Sequence, residues 1–339
     1  MLGVGVVVAG LVALVLVLTL RGCGPTGPEP EKIRYGYLAI SPNLPLFVAA
    51  DPKATTGGSW FQAKGLKDKD GKDIVELVPF DTSNLLVEAL LAGRVDAISP
   101  AGPNVILATE IGSPNSLKVF MVTASTKTIP VDYLLVRPDS PIASLGDLKG
   151  KTVGTYAGAT FMAYLKNSLR QFLDPEKDIT IQQLTPNLQL QALASGSIDA
   201  LYTLEPFGTL AAQQGVGKVL ASGLINKYIV DPFAGGFYCV SEAFRTKYAN
   251  ATKRLREALE AAVVDITASE KTPEKAERLL LVSRASVTEQ VAKACNLGVF
   301  WTLDELYQNQ AAVQKLADFY TQQGVISKAL NVSSLLLPK

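Results

Sequence analysis

The chain has 339 residues, enough for two domains, because single hydrophobic cores stop growing near ~250–300 residues. Its 32 basic residues balance 31 acidic ones, for a formal charge of +1, and no basic block is present, which argues against a nucleic-acid or polyanion partner. There is no histidine, which excludes Ser-His-Asp and Cys-His catalysis and histidine-held metals, and no Walker, GxGxxG or CxxC motif occurs.

Residues Leu2–Leu20 carry no charge and reach the length of a bilayer-spanning helix at about 1.5 Å per residue. Leu20-Arg21-Gly22-Cys23 resembles a bacterial lipobox, although Arg21 departs from it and the positive start of a signal peptide is missing. Residues 1–22 therefore read as a hydrophobic signal or membrane anchor, with a lipidated Cys23, an uncleaved span and simple cleavage all open. Each places the remainder outside the cytoplasm, and the first two tether it to a membrane. Residues 23–31, with Gly24–Glu31 as GPTGPEPE, form a linker too rich in Pro and Gly to build a core. Cys239 and Cys295 either pair in an oxidising compartment or serve as two small buried hydrophobes.

Ile33–Ile40 reads as the first strand, stopped by Ser41-Pro42-Asn43, with a helix starting at Leu44 and a polar insertion over Asp51–Asp73. Ile74–Pro79 is the second strand. Asp81 or Thr82 caps a helix over Asn84–Ala92, Gly93 ends it in the left-handed region, and Val95–Ser99 is the third strand. A helix through about Glu110 and a strand over Leu117–Thr123 follow. The order then recurs: strands Val131–Arg137 and Thr152–Thr155, a small-residue turn Tyr156–Thr160, and a helix Phe161–Phe172. Strand Ile179–Leu184, helix Leu188–Ser195, strand Ile198–Tyr202, a short strand at Val219–Leu220 and an extended Gly235–Val240 come next. From Ala243 the spacing is almost wholly helical.

One unit occurs twice. Phe80–Ile98 aligns without a gap on Gln183–Leu201, with Thr82/Thr185, Asn84/Asn187, Leu85/Leu188, Ala89/Ala192, Leu90/Leu193, Gly93/Gly196, Asp96/Asp199 and Ala97/Ala200 coincident. Two copies imply two similar α/β lobes with a cleft between them. Strand–helix alternation implies parallel sheets covered on both faces, with ligands beyond the carboxyl ends of the strands. That rule selects the loops at Ser41–Leu44, Asp81–Ser83, Ser99–Gly102, Tyr156–Thr160, Pro186–Asn187 and Thr203–Pro206.

Ser140-Pro141-Ile142, Asp147–Gly154, Ala192-Leu193 with Gly196–Ala200, Glu205-Pro206 and Ala89-Leu90 with Gly93–Ala97 stand in an order that resembles the nitrate/sulfonate/taurine-type substrate-binding proteins of bacterial ABC importers. That group also includes thiamine-pyrimidine binders. The resemblance runs from about Ile33 to Ala285. It implies a type II periplasmic-binding-protein fold: lobe 1 from 32–127 plus 232–339, lobe 2 from 128–231, and hinge crossovers near Thr123–Val131 and Leu224–Gly236. It implies a small-molecule solute, an ABC permease and its ATPase as partners, and no cofactor. A heterocycle binder, a sensory receptor and a pyrimidine-synthase-like enzyme are the alternatives; those synthases use a histidine and a cysteine-rich signature that this chain lacks.

The candidate ligand residues are Ser41, Asn43, Leu44, Asp81, Thr82, Ser99, Ala101, Gly102, Tyr156, Gly158, Ala159, Thr160, Asn187, Glu205 and Phe233. Gly158-Ala159-Thr160 opens a helix whose free N–H groups favour an anion, and Thr160 adds a hydroxyl or merely caps the turn. Glu205 suits a ligand amine, a partner across the cleft, or a structural hydrogen bond. Tyr156 and Phe233 either cover an organic group or pack. Asp96 and Asp199 read as turn-capping residues rather than an acid–base pair.

Overall fold

In a computed structural model, residues 27–111 and 116–339 are described. The apolar segment over 1–22 and Cys23 lie outside them. Among the described residues, no helix is long and apolar enough to cross a membrane.

Among the described residues, eleven strands form two sheets: β1 (Ile33–Tyr37), β2 (Val75–Pro79), β3 (Ala97–Ser99), β4 (Leu117–Ser125), β5 (Asp132–Val136), β6 (Lys151–Tyr156), β7 (Ile179–Leu184), β8 (Ala200–Leu204), β9 (Lys218–Ser222), β10 (Phe233–Ser241) and β11 (Val299–Trp301). The first sheet has the order β11-β4-β10-β3-β1-β2 and the second β7-β6-β8-β5-β9. Helices cover both, so each lobe is an α/β unit. Helix Ala249–Ser269 buries Leu255, Leu259, Val263 and Ile266 against the first lobe together with helix Leu44–Ala49. Apolar residues four or so apart on one helix face produce this burial.

The sheets are mixed rather than parallel. β1 pairs parallel to β2 and β3, and β6 to β7 and β8, but β10 runs antiparallel to β3 and β4, and β5 antiparallel to β8 and β9. The antiparallel strands adjoin the crossovers: β5 receives the chain from the first sheet and β10 returns it. Strand–helix alternation reports the parallel βαβ part of each lobe and is silent about these entering strands.

β11 was not legible in the helical C-terminal pattern, since three residues are too few to show a period of two. Gly298 prepares it. With φ +79, it lets the backbone lie where a Cβ would come within 2.4 Å of the Ala124 carbonyl oxygen. The polar insertion likewise contains a short helix, Trp60–Ala63, started by Ser59, whose hydroxyl accepts the Gln62 N–H.

Two segments join the sheets, 126–131 and 223–232, and they lie side by side. Ser125 donates to Asn226 Oδ1 at 2.9 Å, and Asn226 Nδ2 donates to the Ser125 carbonyl at 3.0 Å and to Asp231 at 3.2 Å. Between them the buried Asp132 accepts the N–H groups of Leu224 and Ile225 at 2.7 and 3.2 Å. Burial outweighs those bonds and pushes its carboxyl up to about 6.

Candidate functional site: an apolar cavity between the sheets

Both sheets point their strand ends at a cavity of about 90 Å³. The first lobe contributes Ile40, Pro42 and Asn43 after β1, Ser99–Ala101 after β3, Thr123–Ser125 of β4, and Phe233 and Phe237 of β10. The second contributes Val131 ahead of β5, Phe161 and Tyr164 of the helix after β6, and Leu204 at the end of β8. No lining side chain is charged.

The polar lining groups are already bonded to protein. Asn43 Nδ2 donates to the Leu38 carbonyl at 2.7 Å, and the Ser99 and Tyr35 hydroxyls share a bond of 2.8 Å. Tyr238 and Thr123 both donate to the Pro42 carbonyl, at 2.6 and 3.3 Å. Ser125 is held by Asn226. Tyr164 meets Tyr320 hydroxyl to hydroxyl, and burial drives its phenol well above the usual range.

Of the sequence-derived candidates, Asn43, Ser99, Ala101 and Phe233 line this cavity. Ser41 is buried beside it with an unpartnered hydroxyl, and Leu44 is in the core. Gly102 packs so tightly that a Cβ would come within 2.6 Å of the Ala234 carbonyl. Asp81, Thr82 and Asn187 are exposed at the rim. Thr82 caps its helix by accepting the Leu85 N–H, while Asn187 accepts from Thr185 at 2.7 Å.

The turn Tyr156–Thr160 approaches the cavity through its neighbours. The Tyr156 ring lies 4.7 Å from that of Phe161, centre to centre, and its hydroxyl accepts from Thr203 at 3.4 Å. Gly158 is exposed, with φ +118, and its N–H is taken by Gln183 Oε1 at 2.8 Å; Ala159 begins the helix and Thr160 is half-buried. One donor of that helix start is thus already engaged.

Glu205 is buried and spans the two lobes. Its carboxylate accepts from Tyr133 (2.9 Å), from the hydroxyl and N–H of Thr209 (2.8 and 3.1 Å), and from the N–H of Asn296 (3.1 Å), which precedes β11 of the other sheet. Asn296 Nδ2 answers by donating to the Pro130 carbonyl at 2.9 Å. Cys239 and Cys295 are both buried and free, and burial pushes both thiols up, Cys295 to about 12.

Sequence reasoning missed Phe161, Tyr164 and Phe237, and took in Leu204 only as part of the loop Thr203–Pro206. It sought polar loops, whereas the wall is made of rings. The spacing of Phe161 and Tyr164, three apart on the helix after a strand-ending turn, was the available signal.

The model of the NMT1-like family matches residues 26–280. A putative aliphatic sulfonates-binding protein of Bacillus subtilis is 26% identical over 259 residues, 75% of this chain and 73% of that protein. The periplasmic aliphatic sulphonate binding protein SsuA of Escherichia coli has the same fold, with a TM-score of 0.67 at 21% identity over 91% of this chain and 93% of that one. The desulfurization enzyme DSZB shares it too, with a TM-score of 0.63 at 14% identity over 91% and 97%.

Proposed function

The chain belongs to the NMT1-like family, and we propose that it is the extracytoplasmic solute-binding component of an ABC importer, tethered through its N-terminal segment. Lobe 1, residues 32–127 plus 232–339, and lobe 2, residues 128–231, close on a small solute and present it to the permease and its ATPase. The observation that carries this reading is a cavity walled by both sheets, so that a solute gains contacts only when the lobes are together. Such differential contact shifts the open–closed population toward the closed form. The relatives named for sulfonates supply the ligand class to try first.

The fold is also used by an enzyme, so the case for binding without chemistry rests on the residues. There is no histidine. The thiols and the phenols are held protonated by burial, the Glu205 carboxylate accepts four hydrogen bonds, and Asp132 is fixed by the N–H groups of Leu224 and Ile225. None is poised as nucleophile or base.

Affinity purification of the full chain from its native membrane tests the reading. Recovery of one transporter's permease and ATPase, with solute eluting unchanged, is expected. A co-purifying sensor kinase, or a chemically altered solute, would displace it.

A further inference from the structure

Building on the receptor reading above, we propose that the solute enters this cavity as an uncharged, apolar body about the size of one small ring, with anionic solutes disfavoured. Four observations converge. First, no lining side chain is charged. Second, Asn43, Ser99, Thr123, Ser125 and Tyr238 each already hold a protein partner. An anion brought here would find no lining cation, and the unpartnered Ser41 hydroxyl beside the cavity would leave most of its charge uncompensated, which is strongly disfavoured.

Third, the nearest ionisable groups have the wrong sign. Asp132 follows the lining residue Val131, with Oδ1 buried and unpartnered, and Glu205 follows the lining residue Leu204, its oxygens filled by Tyr133, Thr209 and Asn296. Neither recruits an anion; on Glu205, Tyr133, the Thr209 hydroxyl and the Asn296 N–H converge on Oε1 while Oε2 takes the Thr209 N–H. Fourth, the walls are rings and aliphatic chains, Phe161, Tyr164, Phe233 and Phe237 among them. Such cavities stay dry and gain dispersion contact from an apolar guest.

Size sets the upper bound. The cavity holds about 90 Å³. That is three times the ~30 Å³ share of a water molecule and below the ~150 Å³ of a dry cavity that admits benzene, so a body no larger than benzene fits.

Calorimetry on the full chain in mild detergent tests this with cyclopentanone and butyramide as neutral bodies, butanesulfonate as a charged body of similar length, and nitrate and taurine as solutes without an apolar body. Saturable binding of the neutral pair, at least tenfold tighter than any of the three charged solutes, is expected. Tighter binding of butanesulfonate, taurine or nitrate would overturn the proposal and leave the receptor reading intact. Silence from all five would overturn the proposal, with the receptor reading decided by the co-purification.

Leu204→Arg, at a half-buried wall position, supplies the missing cation. It should weaken the neutral solutes at least tenfold, whereas Leu204→Met, which keeps the wall apolar, should hold them within a few-fold. Unchanged neutral binding in Leu204→Arg would place those solutes outside this cavity and refute the proposal.

Discussion

In the first lobe Asp96 accepts the Arg34 N–H at 2.8 Å and returns its own N–H to the Arg34 carbonyl at 2.8 Å; in the second, Asp199 does the same with Thr152, at 2.9 and 2.8 Å. Gly93 and Gly196 precede them with φ +68 and +76. Gly36 and Gly154, on the strands so joined, each lie where a Cβ would come within 3 Å of packed side chains from the adjoining helix or strand. The copied unit is therefore a device for docking a helix–strand pair onto the first strand of its sheet. At the other end the copies diverge. Thr82 caps its helix through Leu85, whereas Thr185 turns its hydroxyl to Asn187 and leaves that N–H alone. The second lobe alone adds the buried Asp132 and the aromatic pair Phe161 and Tyr164. Duplication fixes the scaffold, and what the scaffold holds is set by residues outside it.

The largest expected effect belongs to the feature without a counterpart. Asp132 in the folded chain titrates near 6, against about 3.9 when unfolded. Its neutral form is the one favoured by folding, so its contribution is complete below about pH 4 and is lost as pH rises through 6. That amounts to roughly 2–3 kcal/mol over two units. Denaturant melts across pH 4–7 should show this decline, and Asp132→Asn, which still accepts from Leu224 and Ile225, should flatten it.

Asp96→Ala and Asp199→Ala test the shared device. Each strands a main-chain N–H and should cost ~1.5–3 kcal/mol in urea unfolding. Asp96 should be the costlier, because the Arg34 guanidinium also lies on it, with Nε at 3.1 Å. A neutral result at either site would break the equivalence. Gly36→Ala and Gly154→Ala should both lose about 1–2 kcal/mol from overpacking, and similar losses would sharpen it. The smallest effect separates the caps: Thr82→Ala should lower stability by ~1 kcal/mol, Thr185→Ala by clearly less.

The scaffold was legible in sequence because a repeat, a capping Thr, a left-handed Gly and an Asp leave marks at fixed spacing. β7 falls on Ile179–Leu184, where its apolar alternation placed it. The cavity was less legible for a physical reason. Polar residues such as Ser41, Asp81 and Asn187 announce themselves at strand ends, yet the structure places them at the rim or beside the core. Ring side chains that line a cleft look, in one dimension, like any others that fill a core. β5 and β10 were read as extended at Val131–Arg137 and Gly235–Val240, but their antiparallel direction was hidden because it depends on which lobe the chain enters, and β11 was too short to show.

Closure around a solute is the central claim. It is tested most directly by distance measurements between labels at Arg94→Cys and Asn187→Cys, exposed positions in opposite lobes, in a Cys23→Ser background. Cys239 and Cys295 are buried and held as thiols, so they remain unlabelled. The account predicts that the tightest-binding of the neutral and charged probes narrows a broad distance distribution to its short end. A distribution that is the same with and without every probe would contradict it.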